Sequence, residues 1–371
     1  MNKLSLYLHF PFCKAKCRYC DFYSLPKREL IAPYEKALAK SFSAFSVLAP
    51  DARVETVYFG GGTPSLATES GIEEIFSSLR ANFTVSEDAE ITVEMNPESA
   101  SEKILSAYHR AGVNRVSFGM QSAIDSELEA LGRLHRFEAV RLAVQCARSA
   151  GFDNISLDLM YGLPGQTLES FCESLQKALA LSPEHVSFYL LTLSESVPLY
   201  AQRQFLPGDE AVREMYLTAS SCLKENGFEH YEISNAARPG FRSRHNSVYW
   251  NGGDYLGIGP GAHSLVDGKR FFVKDGAEEF ISAENPLDRL SEFDILTKED
   301  LFTEYLMLSL RTKEGVSTER LKDLSDGETA KCICEKFRLW ERHGLCEKTP
   351  QGFALTASGF FVSNEIITEL M

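Results

Sequence analysis

The chain has 371 residues, of which 24% are charged and 44% belong to the hydrophobic types, and its formal net charge is -14. That length favours two domains over one, and the ordinary apolar share excludes a disordered chain. The acidic balance repels nucleic acid and anionic membrane surfaces, so a general nucleic-acid binder is set aside.

The chain opens Met1-Asn2-Lys3 and reaches His9 and a cysteine cluster almost at once, without the long apolar core or cleavage site of a signal peptide. No run approaches the roughly 18 apolar residues of a membrane span. Nine cysteines, three of them crowded into residues 13–20, fit a reducing cytosol and a metal site better than a disulfide scaffold. A cytoplasmic protein is expected.

Strand-like runs are predicted at residues 4–9, 54–59, 90–95, 115–119, 154–159 and 186–191. Between them, segments such as 72–81, 101–111 and 137–150 repeat apolar residues at three- and four-residue steps. Strands alternating with helices argue for βαβ units, an α/β class and a parallel sheet curled into an open or closed barrel. Residues 1–237 form this core. Residues 238–291 turn rich in glycine and aromatics and read as a connecting segment whose strands complete or lid the sheet. Residues 292–371 read as helices at 300–311, 319–324 and 329–343, then a hairpin of 346–349 and 353–356 about Pro350-Gln351-Gly352, a small winged-helix-like domain. Its slightly acidic composition favours protein contact or a lid over DNA binding.

In parallel α/β folds the functional loops follow the strand C-termini. The first such loop carries Cys13-Lys-Ala-Lys-Cys17-Arg-Tyr-Cys20, a C-x3-C-x2-C run. Three thiolates on one tight loop reach three irons of a [4Fe–4S] cubane and leave the fourth open to a chelating molecule. Lys14, Lys16 and Arg18 favour ionised thiols. A structural zinc site is the alternative, with Asp21 or His9 as fourth ligand. Gly60-Gly61-Gly62-Thr63-Pro64 follows the second strand, where glycines admit close approach of a ligand. Glu94, Gln121 and Asp158 sit in or just beyond later strands, and a charge in an apolar strand needs a partner. An internal salt bridge, for instance of Asp158 with Arg133, is the alternative to a ligand contact.

A C-x3-C-x2-C loop after the first strand of a βα-repeat chain resembles the radical SAM superfamily, whose cluster binds S-adenosylmethionine (SAM) and cleaves its sulfonium bond reductively. The resemblance implies a partial (β/α)6-type barrel. Tyr7, the glycine loop, Glu94, Gln121, Arg133 and the run Asp158 to Thr167 together resemble the oxygen-independent coproporphyrinogen III oxidase family. That resemblance covers nearly the whole chain. It implies SAM contacts from Tyr7, Glu94 and the backbone of Gly61, and a pocket completed by Tyr19, Gly62, Thr63, Gln121, Arg133, Asp158 and Thr192.

Two features depart from the oxidases. Their motif continues to a further cysteine where this chain has Asp21-Phe22, and they carry a longer segment before the motif. His245-Asn246-Ser-Val-Tyr249-Trp250 is instead similar to the H-N-x-x-Y-W motif of a sister branch, the radical SAM haem chaperones. That resemblance implies bound haem, with His245 as candidate axial ligand, and transfer to an unidentified acceptor protein, possibly at a membrane. A hydrogen-bonded structural histidine is the alternative for His245. His263, within a Gly-rich turn, is a second candidate ligand, and Cys332 and Cys334 read as helix packing. The leading expectation is a haem chaperone carrying a cluster and SAM, more chaperone than enzyme. The runner-up is a coproporphyrinogen III oxidase, and an RNA-modifying radical SAM enzyme is disfavoured by the acidic balance.

Overall fold

A computed structural model describes residues 2–371. Six parallel strands form the heart of the molecule: β1 (Lys3–Phe10), β2 (Arg53–Gly61), β3 (Thr84–Met95), β4 (Arg115–Gln121), β5 (Ile155–Tyr161) and β6 (His185–Leu190). Each predicted run lies within or beside one of them. β3 starts earlier than its apolar pattern, because Thr84 and Val85 pair with Arg53 and Val54 of β2 before an irregularity, and the ladder resumes at Glu90 opposite Thr56.

Side chains alternate across each strand, and here the alternation separates two chemistries. One face carries Leu6 and Leu8, Val57 and Phe59, Ile91 and Val93, Val116 and Phe118, Leu157 and Leu159, all buried among the covering helices. The other face carries Ser5, Tyr7 and His9; Thr56 and Tyr58; Glu90, Thr92 and Glu94; Arg115 and Ser117; Ser156 and Asp158; His185 and Ser187. The strands are therefore apolar toward the helices and polar toward the concave side. A cavity lined this way is built for a polar ligand rather than for packing.

The ladder continues past both ends of the parallel set. β7 (Glu229–Glu232) and β8 (Asn235–Ala237) add antiparallel to β6, while β9 (Tyr255–Ile258) lies parallel beside β1. β10 (His263–Val266), β11 (Lys269–Phe272) and β12 (Asp294–Ile295) follow antiparallel. The sheet has 12 strands and is open, with β12 and β7 at its edges. The Gly/aromatic segment thus extends the sheet, and β12 carries it past residue 291. A helix, Arg244–Trp250, also lies in this segment.

Helices Lys298–Ser309, Thr318–Leu324 and Gly327–Arg342 accompany a small sheet in which β15 (Gly352–Leu355) lies between β13 (Val316–Ser317), which follows the first helix, and β14 (Cys346–Lys348). Two further short helices, Ala357–Phe361 and Ser363–Leu370, close the chain. The first sets Phe360 against His230 and Phe361 against Tyr216, at 5.5 and 5.9 Å between ring centroids. The C-terminal unit is thereby packed onto the core rather than tethered to it.

Candidate functional site

The cysteine loop leaves β1 and is held by backbone hydrogen bonds to three separate places. The Cys13 N–H donates to the Leu25 carbonyl at 3.0 Å, the Arg18 N–H to Leu131 at 3.0 Å, and the Leu199 N–H to Arg18 at 2.9 Å. The thiols of Cys13, Cys17 and Cys20 are half-buried and free. Among the described residues no three His, Cys, Asp or Glu groups converge closely enough to hold one metal ion. A cubane gives each of three thiolates an iron of its own, where a zinc site gathers its ligands on one ion.

Burial and charge oppose one another around the thiols. Burial pushes the Cys13 and Cys20 thiols up, and the Lys16 ammonium is engaged by the Phe22 carbonyl at 3.1 Å. The cation that touches a thiol is Arg133, whose Nη1 donates to Cys17 Sγ at 3.5 Å, and the Thr63 hydroxyl donates to Cys13 Sγ at 3.5 Å. Burial thus outweighs the favourable charge of Lys16 beside Cys20.

β2 ends in the glycine loop. Gly61 adopts a φ of 108°, open to glycine alone, and its N–H donates to Glu94 Oε2 at 3.0 Å. A Cβ on Gly62 would lie 2.6 Å from the Phe12 carbonyl oxygen, so the loop presses against the backbone entering the cysteine turn. The Tyr58 hydroxyl donates to Glu94 Oε1 at 2.6 Å. Burial raises the Glu94 pKa, and these two donors pull against the rise.

Arg133 donates to Asn96 Oδ1 at 2.6 Å and to the Gly119 carbonyl at 2.8 Å, and reaches Tyr19 Oη at 3.5 Å. It makes no ion pair with Asp158. The Asp158 carboxyl instead accepts from the Ser117 hydroxyl at 3.0 Å, and burial raises its pKa. Gln121 holds a φ of 64°, rare for a residue with a side chain, at the end of β4. Cys13, Cys17, Cys20, Tyr19, Gly61, Gly62, Glu94, Gln121, Arg133 and Asp158 all line one cavity of about 410 Å3. Thr63 sits buried just behind it through its bond to Cys13. A second cavity of about 420 Å3 shares Tyr58, Gly61, Glu94 and Tyr189 and adds Tyr7, whose hydroxyl meets His9 Nδ1 at 2.9 Å.

Thr192 and His245 lie apart from the first cavity. Thr192 is exposed beyond β6 and lines neither cavity, because the chain turns outward after Leu191. His245 is 1% exposed, with Nδ1 at 2.7 Å from the Thr56 hydroxyl and Nε2 at 2.9 Å from the Tyr249 hydroxyl. Its ring stacks on Tyr58 at 5.0 Å, and the Glu90 carboxylate accepts from the N–H groups of Arg244 and His245 at the start of their helix. Both ring nitrogens are thus hydrogen-bonded where His245 borders the second cavity, and burial lowers its pKa to about 3.

Sequence reasoning missed Tyr58, Asn96, Arg115, Ser117 and Asn246, all of which line the first cavity, the one beside the cysteines. Strand alternation carried the signal for Tyr58, Arg115 and Ser117, since each lies two residues from another polar inward position. Arg115 is 2% exposed, and its Nε has no hydrogen-bond partner among the described residues.

Residues 7–178 match the model of the radical SAM superfamily, and residues 296–362 that of the HemN C-terminal domain. A protein named "Heme chaperone HemW" from Lactococcus lactis is 32% identical over 99% of this chain and 97% of its own length. Its namesake from Bacillus subtilis is 34% identical over 98% of this chain and 97% of its own length. The solved structure of coproporphyrinogen III oxidase (HemN) from Escherichia coli superposes with a TM-score of 0.84, covering 100% of this chain and 90% of the other, at 24% identity. At that identity the superposition speaks for the fold.

Proposed function

This chain belongs to the HemW-type haem chaperone family within the radical SAM superfamily, and on that premise we propose that it binds haem and passes it to an acceptor protein. The observation that carries this reading is end-to-end similarity to proteins bearing that name, joined to Asp21-Phe22 in place of a further cluster cysteine. All nine cysteines are free, which suits a reducing cytosol as the working compartment. No helix among the described residues is long and apolar enough to cross a membrane, so an acceptor in a membrane would be met at its surface.

Cys13, Cys17 and Cys20 hold a [4Fe–4S] cluster in this proposal, and Arg133 keeps the Cys17 side of it in a cationic field. A bound cluster offers an open iron to SAM and can supply an electron to it. The protein's own part is placement. Glu94, pre-set by Tyr58 and Gly61, receives the methionyl ammonium. Asp158 and Gln121 accept from the sugar hydroxyls, while Tyr7, Tyr19, Gly62 and Thr63 shape the walls. The completeness of this polar constellation favours a second reading, radical decarboxylation of coproporphyrinogen III, as a catalyst also requires it.

Haem titration of the anaerobically reconstituted protein, followed at the Soret band, tests the first reading. A saturable shift at equal stoichiometry is expected. Absence of any shift beyond that of a control protein, together with turnover of coproporphyrinogen III, replaces it with the second.

A further inference from the structure

The three thiols of the cysteine loop differ in what donates to them. Arg133 Nη1 donates to Cys17 Sγ and the Thr63 hydroxyl to Cys13 Sγ, both at 3.5 Å, and among the described residues neither donor reaches Cys20. Both donors meet on one side chain, Asn96. Its Oδ1 accepts from Arg133 Nη2 at 2.6 Å, and its Nδ2 donates to Thr63 Oγ1 at 2.9 Å.

The chemistry of these groups fixes the sense of the bridge. A guanidinium only donates, so the amide oxygen faces Arg133 and the amide nitrogen faces Thr63. Thr63 Oγ1 then accepts from Asn96, and its single hydrogen is left for Cys13. The guanidinium is braced from a second side, since Nη2 also donates to the Gly119 carbonyl at 2.8 Å, and this turns Nη1 toward Cys17. Asn96 is itself held. It follows β3 directly, and its carbonyl accepts from the Ser99 N–H and the Ser99 hydroxyl, each at 3.0 Å, while Pro97 stiffens the exit from the strand. Thr63 is 1% exposed and its N–H donates to the Phe12 carbonyl at 2.8 Å, so that end of the bridge is fixed too.

Hydrogen bonds and positive charge at the ligating sulfurs of an iron–sulfur cluster stabilise its reduced, more negative state and raise its reduction potential. Three half-buried thiols on one loop, two of them met by donors suited to thiolate sulfur, fit such a cluster. We infer that Asn96, although not a ligand, is a positioning residue that raises the reduction potential of a cluster on Cys13, Cys17 and Cys20 by orienting both donors at once. The inference rests on the cluster reading above and names a residue that makes that cluster easier to reduce.

The test is a mediated potentiometric titration of the anaerobically reconstituted full chain without SAM, with dithionite as reductant. It is followed by visible absorption and electron paramagnetic resonance at matched iron content. Asn96→Leu keeps the side-chain volume and removes both bonds, and Thr63→Val removes the hydroxyl alone. Asn96→Asp, of the same shape as the native residue, keeps the bond to Arg133 but draws the Thr63 hydrogen to itself. Each variant is expected to have a lower midpoint than wild type, read as a fall of about threefold to tenfold in the reduced-to-oxidised ratio at the wild-type midpoint. In Asn96→Leu/Thr63→Val the midpoint should fall by less than the two single shifts summed, because Thr63 is already misdirected once Asn96 is gone. A wild-type midpoint in Asn96→Leu and Asn96→Asp, or strictly additive shifts in the double variant, overturns the inference and leaves the cluster standing. Absence of any cluster signal in reconstituted wild type overturns the cluster reading, and this inference with it.

Discussion

Glu94 sits between opposed demands: its carboxyl is desolvated in the cavity wall, yet Tyr58 and Gly61 are aimed to stabilise its charge. Its pKa is raised, so the group keeps a proton above the usual carboxylate range and becomes an anion only as pH climbs past its raised value. SAM affinity should therefore strengthen over that rise. Glu94→Gln should flatten the dependence and weaken binding about tenfold to a hundredfold, the loss of one charge-assisted hydrogen bond, by calorimetry on the reconstituted protein. His245 poses the reverse case. Its pKa falls from 6.5 to about 3, so on acidification the unfolded chain takes up a proton that the folded chain refuses. Its contribution to stability is whole above 6.5 and declines as pH drops toward 3. His245→Ala removes two hydrogen bonds and a stacked ring, and a cost of about 2–4 kcal/mol in denaturant titrations at neutral pH is expected. The wild-type advantage should shrink in acid.

At the level of elements, the six parallel strands were legible because each carries a continuous β-rich run between helical periodicities, and Glu94, Gln121 and Asp158 stood out as polar residues in or beside them. Tyr58 and Arg115 were not, because a polar residue in a half-apolar strand announces a face without saying what that face encloses. The helix Arg244–Trp250 escaped as well. It is seven residues long and aromatic, and its start is capped by Ser243 and by Glu90 from a distant strand, a tertiary contribution absent from the local sequence. The Asp158–Arg133 pair suggested by sequence does not form, since Asn96 and the Gly119 carbonyl claim the guanidinium. The glycine loop yields a test of its own. In Gly62→Ala the new methyl would meet backbone oxygens of Phe12 and Phe10 at 2.6 and 2.8 Å, contacts no rotamer relieves. A stability loss of about 1–3 kcal/mol is expected, with less iron retained per chain after reconstitution, because the displaced backbone is the one that leads into Cys13.

Across the whole molecule, the seam between core and C-terminal unit runs along β7. Ile233 donates its N–H to the Arg311 carbonyl at 2.8 Å, and Glu232 bridges to Thr312 in the backbone ladder. The Glu232 carboxyl is fully buried, with Asn235 and the Ser234 N–H as its partners, and burial raises its pKa to about 7 from 4.5. The folded chain holds this proton through a range where the unfolded chain has released it, so stability falls as pH rises from 4.5 to 7. Glu232→Gln should abolish that fall, and melting curves at pH 5 and pH 8 would show a gain confined to the alkaline side. The cysteine loop has a different bearing on the life of the chain. Leu25, Leu131 and Leu199 fasten it through main-chain bonds that no metal supplies. The loop's path is thus drawn by the polypeptide's own main-chain bonds. Residues 11–25 are therefore expected to be as protected from limited proteolysis in metal-free protein as in reconstituted protein, and cleavage confined to the metal-free form would refute this.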